Sequence, residues 1–329
     1  MDSMTQAVLG ASVAGVCAPE GQRRKAMLAG ALLGTLPDLD VLIDYGDAVK
    51  NFTYHRGFSH SLLMLTPFSV LVWLLLRRWW APVRAAPRPW LAAIMLALLT
   101  HPLLDAHTAY GTQLFWPLDV RPTMWSTMFI IDPAYTLPLL IGVLAAAIGA
   151  AKKWAGQALT IGLAVSTIYL GWSWAAKIIV ETDAQKVLVG MGLAAAPVFS
   201  TPTPFNTLLW RVVVMTDDGY LQGYDSLLVS ERPIAFESYP SQNRLLATAA
   251  DIWAVQRLRW FASDFLKADM RGNKLVLTDL RMGGEPNYVF SHVVAEQGNP
   301  HWKAVPTEQL IGRFGRGDLD TLRRRLWQD

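Results

Sequence analysis

The sequence predicts a polytopic α-helical membrane bundle of about six segments, followed by a smaller α+β soluble domain. The first observation is composition: 17% of the 329 residues are charged and 52% are hydrophobic, whereas soluble domains carry about 25% charged residues. The second is the distribution of charge. Residues 1–180 hold 22 Asp, Glu, Lys and Arg, and residues 181–329 hold 33. We therefore predict a helical membrane domain over 1–180 and an α+β extramembrane domain over 181–329.

The composition also excludes several function classes. The net charge of +3 is too small and too dispersed to indicate nucleic-acid binding. A single cysteine, Cys17, excludes an internal disulfide framework and a Cys-rich metal site. The first residues provide neither a positive region nor a small-residue cleavage site, so no cleavable signal peptide is expected. The sequence leaves the oligomeric state open.

Apolar runs define the predicted membrane segments. They comprise residues 4–18, 26–36, 62–76, 90–104, 133–151 and 155–176. The last two are long enough to cross a bilayer, which takes about 20 residues, whereas the first two are short for this task.

Basic residues between these runs predict an orientation. They fall in alternate connections, at positions 23–25, 77–88 and 152–153. The positive-inside rule places these connections in the cytoplasm. The N-terminus, residues 37–61, residues 101–133 and the C-terminal domain are then expected on the non-cytoplasmic side, together with every Asp and His of residues 1–180.

Strand-like runs appear after residue 180. Residues 208–216 and 220–229 are predicted to form a hairpin. Residues 274–281 and 287–295 predict a second strand pair, and residues 241–267 have the periodicity of a helix. The proline-rich stretch 197–204 is expected to be a rigid connection.

Three segments contain potential metal-binding or catalytic residues, and two of these segments lie before residue 62. Asp38 and Asp40 follow a proline that interrupts a helix, which leaves both carboxylates on an irregular turn. His55 and His60 are five positions apart, so a regular helix would point them about 140° away from each other. A turn at Gly57 would bring both imidazoles toward one point.

The third segment contains His101 and Asp105 at positions i and i+4, which share one face of a helix. Histidine and aspartate suit zinc, manganese or another divalent ion. Single histidines at a membrane boundary are usually structural, but the convergence of three such segments on one membrane face favours a metal site. Arg56 is either a solvated interface charge or a group that holds a substrate anion.

Other polar residues of the chain are either structural or functional. Asp132 precedes a proline and is predicted to cap the helix that follows, rather than to bind metal. His107 is either a structural histidine or a further ligand. His292 and His301 are expected to have no catalytic role.

At these residues the sequence resembles a known family. The opening Met-Asp-Ser-Met-Thr-Gln and the three segments above are similar to the YdjM-like family of bacterial membrane-bound, predicted metal-dependent hydrolases. A more distant resemblance is to the zinc-dependent phospholipase C and single-strand nuclease group, whose His-x-x-x-Asp pair corresponds to His101 and Asp105. These resemblances imply a zinc cofactor and a location in the bacterial inner membrane. Many relatives have histidine where Gln6 stands here, which implies one or two metal ions rather than three.

Together these observations predict a membrane-bound, metal-dependent hydrolase that acts on a phosphoester or lipid-related substrate at the outer face of the membrane through metal-activated water. A divalent ion, with zinc favoured, would be held by residues drawn from Asp38, Asp40, His55, His60, His101 and Asp105. A carboxylate at 38 or 40 that does not bind the ion would act as general base, and Arg56 would stabilise negative charge on the substrate. The predicted partners are the lipid bilayer and this substrate.

A non-enzymatic membrane scaffold or a transporter with a structural metal site is the alternative. A transporter would place ionisable residues near the middle of the bilayer. Residues 62–76, 133–151 and 155–176 contain none, which disfavours a transporter.

Overall fold

The computed structural model describes residues 1–149, 152–229, 232–299, 301–312 and 316–328. The chain divides into two compact units. The first comprises Met1–Leu42, Arg56–Ser173 and Pro204–Asn206, and the second comprises Ile43–His55, Trp174–Thr203 and Thr207–Asp329. Ala150 and Ala151, at the end of the predicted segment 133–151, lie outside the described residues.

The described residues contain eleven α-helices and ten β-strands. The helices are α1 (Ser3–Cys17), α2 (Arg23–Thr35), α3 (Ala48–Tyr54), α4 (Leu62–Trp79), α5 (Ala81–Ala85), α6 (Pro87–Asp105), α7 (Pro133–Gly149), α8 (Lys153–Gly190), α9 (Arg244–Thr248), α10 (Trp253–Phe261) and α11 (Arg316–Gln328). The strands are β1 (Val198–Pro202), β2 (Leu209–Thr216), β3 (Gly219–Ser226), β4 (Glu237–Pro240), β5 (Leu266–Arg271), β6 (Lys274–Asp279), β7 (Gly283–Gly284), β8 (Asn287–Tyr288), β9 (Phe290–Glu296) and β10 (Lys303–Ile311).

The first unit is built around α6, which is buried along most of its length. Its side chains Trp90, Ile94 and Leu98 are almost completely inaccessible. Helices α1 and α2 pack very closely, because a Cβ atom on Gly10 would lie 2.2 Å from the carbonyl oxygen of Gly30. A side chain at either glycine would push the helices apart. This close packing places the end of α2 beside the end of α6.

The predicted polytopic bundle of about six membrane segments is wrong. Within the described residues, two helices, α4 and α8, are long and apolar enough to cross a membrane. Helices α1 and α7 have 15 and 17 residues, which at 1.5 Å per residue is shorter than the ~30 Å hydrocarbon core. Helix α2 begins with three basic residues and α6 carries charged residues at both ends. Apolar composition alone could not distinguish a buried helix of a packed unit from a membrane-spanning one.

Helix α8 is longer than a membrane crossing requires. Its 38 residues correspond to about 57 Å at the standard helical rise, nearly twice the hydrocarbon thickness. The second part of the helix carries the charged residues Lys177, Glu181, Asp183 and Lys186. A crossing by α8 would therefore use its apolar first part.

The second unit contains two antiparallel four-stranded sheets, with strand orders β1-β2-β3-β4 and β10-β9-β6-β5. The predicted hairpin is present, with Thr216 paired to Gly219 across a two-residue turn. The second predicted pair is also present, because β6 and β9 are neighbours. The stretch expected as a rigid connection contains β1, which pairs with β2.

The long helix predicted over 241–267 is wrong in extent. Two short helices, α9 and α10, occupy part of it, and β5 begins at Leu266. The Ser241 hydroxyl accepts a hydrogen bond from the backbone N–H of Ala268, and the N–H of Gln242 donates to the carbonyl of Ala268. These contacts tie the start of the segment to β5, and no proline or glycine in the sequence signals the interruption.

Candidate metal centre

Four side chains from three chain segments meet in the first unit. Asp38 lies in the 3₁₀ turn Leu36–Leu42, His60 ends the 3₁₀ turn Phe58–His60, and His101 and Asp105 lie in the last turn of α6. One potential ligand atom from each side chain lies within 4.8 Å of the other three. His60, His101 and Asp105 are fully buried, whereas the side chain of Asp38 is 18% exposed. The cluster therefore opens on the side of Asp38.

Five of the six distances between these atoms are close to those around a tetrahedral ion, and the sixth, between the Asp38 and Asp105 oxygens, is within 4.8 Å. The two Nε2 atoms of His60 and His101 are 3.0 Å apart. Asp105 Oδ2 lies 3.1 Å and 3.6 Å from these nitrogens, and Asp38 Oδ1 lies 3.5 Å and 3.4 Å from them. Zinc binds imidazole nitrogen and carboxylate oxygen at about 2.0–2.1 Å, so ligand atoms at the corners of a tetrahedron are about 3.3 Å apart. The four side chains would hold such an ion with little movement.

The hydrogen bonds of the two imidazoles orient both Nε2 lone pairs toward this point. His101 Nδ1 lies 2.6 Å from the carbonyl oxygen of Gly34, which can only accept, so Nδ1 carries the proton. His60 Nδ1 lies 2.9 Å from the hydroxyl of Ser59, and this hydroxyl donates its hydrogen to Asp40 at 2.5 Å. His60 Nδ1 is therefore also the protonated nitrogen of the neutral ring. Two lone pairs 3.0 Å apart repel each other, and a cation between them removes this repulsion.

The charges around the site favour ionised carboxylates. Burial alone would raise the pKa of Asp105, but the positive charges of Arg56 and the Met1 amino group, with the His60 imidazole that donates to it when protonated, hold this pKa well below its usual range. Burial opposes ionisation of Asp38 as well, but the imidazoles of His101 and His60, which donate to it when protonated, lower its pKa. Both groups are therefore anionic at neutral pH, the form that binds a cation.

The two histidines differ in their affinity for protons. Burial lowers the pKa of His101, which keeps its imidazole neutral and able to bind metal. Burial also opposes protonation of His60, but its bonds to Asp105 and Asp38 outweigh burial and raise its pKa. Protons therefore compete with a cation mainly at His60.

Asp40 lies on the Nδ1 side of His60, opposite the nitrogen that faces the cluster. Its Oδ2 atom accepts hydrogen bonds from the backbone N–H of Arg56 at 3.0 Å and from the Ser59 hydroxyl, and it lies 3.7 Å from His60 Nδ1. Backbone geometry makes this arrangement possible, because Arg56 has a φ of 59° and Gly57 has φ −89° and ψ −113°, outside the regions open to most residues. The predicted turn at Gly57 thus serves to join Asp40 to His60.

Arg56 and Gln6 hold Asp105. Arg56 Nε lies 3.2 Å from Asp105 Oδ2, and the guanidinium stacks on Tyr110 and donates to Thr108. The Gln6 side-chain amide donates to Asp105 Oδ1 at 3.0 Å. The amino group of Met1 also contacts this oxygen. The Arg56 side chain is 4% exposed, so its charge acts on Asp105 from inside the protein.

Three other sequence candidates lie outside the group of four. His55 is the residue after α3, which belongs to the second unit. The His107 ring donates from Nδ1 to the carbonyl of Leu103 and packs edge-on against Trp125. Asp132 accepts from the backbone N–H groups of Ala134 and Tyr135 at the start of α7, as expected of a helix cap.

Sequence reasoning did not find the groups that orient the ligands. Ser59 could have been suspected, because it stands next to His60 inside the same motif. Gly34 had no such signal, since its carbonyl becomes a partner of His101 only where α2 and α6 come together.

Comparison with known proteins gives matches to the part of the chain that contains these residues. The family model of the YdjM inner membrane protein matches residues 1–180, the part of the chain that contains all four side chains of the cluster. The inner membrane protein YbcI of Escherichia coli (strain K12) is 38% identical over 91 residues, which are 27% of this chain and 51% of YbcI. The uncharacterized protein YfhP of Bacillus subtilis (strain 168) is 27% identical over 140 residues, 40% of this chain and 42% of YfhP.

The chain spans about half the length of the curated relatives it matches. No solved structure matches the chain. The family match covers more than half of the chain and confirms the resemblance seen in its motifs, together with a membrane location. The chain therefore belongs to the YdjM family of inner membrane proteins.

Proposed function

We propose that the protein is a metal-dependent hydrolase that uses a divalent ion, with zinc favoured, held by Asp38, His60, His101 and Asp105. The observation that carries this proposal is the geometry of two imidazoles and two carboxylates that converge at tetrahedral spacing with both Nδ1 protons engaged elsewhere. Catalytic zinc sites keep a position for water and can expand to five ligands, and the partly exposed side of Asp38 would leave room for that water here.

When bound, zinc lowers the pKa of a coordinated water and stabilises negative charge on the substrate. The chain supplies the rest of the chemistry. Asp38 is the partly exposed member of the cluster, so the substrate approaches from the side of Asp38. We assign the second carboxylate oxygen of Asp38 as the proton acceptor. Asp40 orients His60 through Ser59, and Arg56 keeps Asp105 anionic.

A structural metal site in a scaffold or transporter is the second candidate. It would need the same four ligands but no access for a substrate. The partial exposure of Asp38 favours a site that meets an outside molecule. The two candidates are distinguished by an activity assay, because only the hydrolase would convert substrate to product.

We expect the metal-loaded protein to hydrolyse bis(p-nitrophenyl) phosphate and to lose this activity on chelation. Adding zinc back should restore it. Compared at equal metal content, because Asp38 is also a ligand, Asp38→Asn should lower the rate about 10²–10⁴-fold, the usual effect of removing a general base, since asparagine cannot take up the proton. Release of p-nitrophenol measures the rate, with Asp119→Asn, an exposed aspartate outside the cluster, as the matched control. Metal-loaded protein without activity on phosphoesters, esters and amides would favour the scaffold instead.

We further propose that the metal site faces the non-cytoplasmic side of the membrane. Arg77 and Arg78 lie in the last turn of α4, and basic residues mark the cytoplasmic ends of membrane segments. His60 lies two residues before the opposite end of α4, which supports a position at the other membrane face.

Reporter fusions test this orientation. Alkaline phosphatase fused after residue 80 should be inactive, because the basic end of α4 stays in the cytoplasm, and green fluorescent protein at the same point should be fluorescent. In a Cys17→Ser background, an impermeant maleimide should label Asp119→Cys, an exposed polar position outside the cluster, from outside the cell. Active alkaline phosphatase at residue 80 would reverse the proposed orientation.

A further inference from the structure

Exposed apolar side chains lie in the turns that carry Asp38 and His60 and in the segment bonded to the start of α4. We call them the apolar rim, and they are Leu36, Leu39, Val41, Leu42, Phe58, Phe115, Trp116 and Leu118. Leu42 is 78% exposed and Leu39, between the two aspartates, is 54% exposed. A soluble protein rarely exposes so many large apolar groups together.

The 3₁₀ turn Leu36–Leu42 explains half of the rim. Residues three apart share a face in such a turn. Pro37 and Asp40 form the buried face, whereas Leu36, Leu39 and Leu42 form an exposed apolar face. The turn that presents Asp38 therefore also presents an apolar ridge beside it.

The other half of the rim is tied to the start of α4. The backbone N–H of Leu62 donates to the carbonyl of Leu114, and the Ser61 hydroxyl donates to the carbonyl of Trp116 at 2.6 Å. The ring of Phe58 packs edge-on against Trp116. These contacts hold the aromatic side chains at the first turn of α4.

The rim continues into a helix that can span the membrane. Helix α4 is a candidate span of 18 residues, and its first turns expose Leu63, Met64 and Phe68. Tryptophan and other aromatic residues concentrate where a membrane segment enters the headgroup region. The family match places the chain in the inner membrane, so the surface continuous with α4 meets lipid.

We propose that the substrate is a membrane phospholipid, whose acyl chains stay in the bilayer against the apolar rim while its phosphate reaches the metal centre beside Asp38. This inference rests on the proposed hydrolase function. In the reaction the oxygen of water forms a bond to phosphorus and one ester P–O bond breaks. The leaving oxygen keeps the electron pair of the broken bond. The proton of the attacking water passes to Asp38, which then delivers it to this leaving oxygen.

The test compares two substrates in proteoliposomes of phosphatidylcholine and phosphatidylglycerol. The variant Leu42→Asn/Phe115→Asn should lower phospholipid hydrolysis about tenfold or more, because it removes two apolar contacts with the lipid. Hydrolysis of bis(p-nitrophenyl) phosphate and metal content should stay within about twofold of the unchanged protein, since neither residue binds the ion. Leu28→Asn, which changes a leucine on α2 that is 66% exposed and lies outside the rim, is the control.

Equal loss on both substrates, or loss on neither, would overturn the lipid assignment. A second measurement does not depend on turnover. In a Cys17→Ser background, a fluorophore on Leu42→Cys should be quenched by brominated lipid, whereas one on Asp218→Cys, in the polar turn between β2 and β3, should not. Absence of quenching at position 42 would show that the rim faces water or a protein partner. Quenching without hydrolysis of either substrate would instead reject the proposed hydrolase, and the substrate assignment with it.

Discussion

Replacing His101 by alanine is expected to abolish metal binding. Wild-type protein purified in detergent should carry about one divalent ion per chain, because the four side chains form one candidate site. The variant loses one ligand nitrogen and the anchor to Gly34, and we expect its metal affinity to fall by at least about 10²-fold. Elemental analysis by inductively coupled plasma mass spectrometry measures the loss.

Two further variants make this result interpretable. His101→Gln fills most of the space of the buried ring, so loss of metal in both variants points to the ligand rather than to a cavity. His301→Ala removes an exposed histidine and should leave the metal content unchanged. Full occupancy in a triple alanine variant of His60, His101 and Asp105 would place the metal elsewhere.

Asp105→Asn is expected to have the second large effect, on both metal content and stability. Asparagine is a poor ligand, so the ion should be lost. The variant also leaves the guanidinium of Arg56 buried without its carboxylate, and breaking a buried ion pair from one side costs about 3–5 kcal/mol of unfolding free energy. We expect a lower thermal midpoint in detergent, measured by intrinsic fluorescence.

A double variant separates these two consequences. Arg56→Met removes the unpaired charge while it keeps the apolar contact with Tyr110, so Asp105→Asn/Arg56→Met should recover part of the lost thermal stability. It should not recover the metal. Recovery of metal by the double variant would mean that Asp105 is not a ligand and that Arg56 excludes the ion when it is unpaired.

The ligand set illustrates which parts of a site can be found in a sequence. His101 and Asp105 are visible because a spacing of four residues already puts them on one helix face. The motifs around His60 and Asp38 contain potential metal ligands, but nothing in these motifs distinguishes His60 from His55 or Asp38 from Asp40. That distinction follows from the turn at Arg56, which directs Asp40 to the far side of His60.

The membrane segments could not be identified correctly from the sequence. Apolar runs at the positions of α1, α2 and α6 look like short or marginal membrane segments in the sequence. In the structure α6 is a buried central helix, and close packing at Gly10 and Gly30 makes α1 and α2 its neighbours. A run of apolar residues reports that a helix avoids water, but not whether lipid or protein surrounds it.

The sequence by itself determined the family, the change of composition near residue 180, the residue types of the candidate metal site and the main strand pairs of the second unit. These features depend on local patterns, such as alternation, helical spacing and charge. The tertiary structure alone decided which carboxylate stands among the ligands and which supports them, which carbonyl fixes the tautomer of His101, and where the apolar rim lies. Each of these depends on distances between segments far apart in the chain, because hydrogen bonds and metal coordination act over about 2–3 Å and no local pattern records such distances.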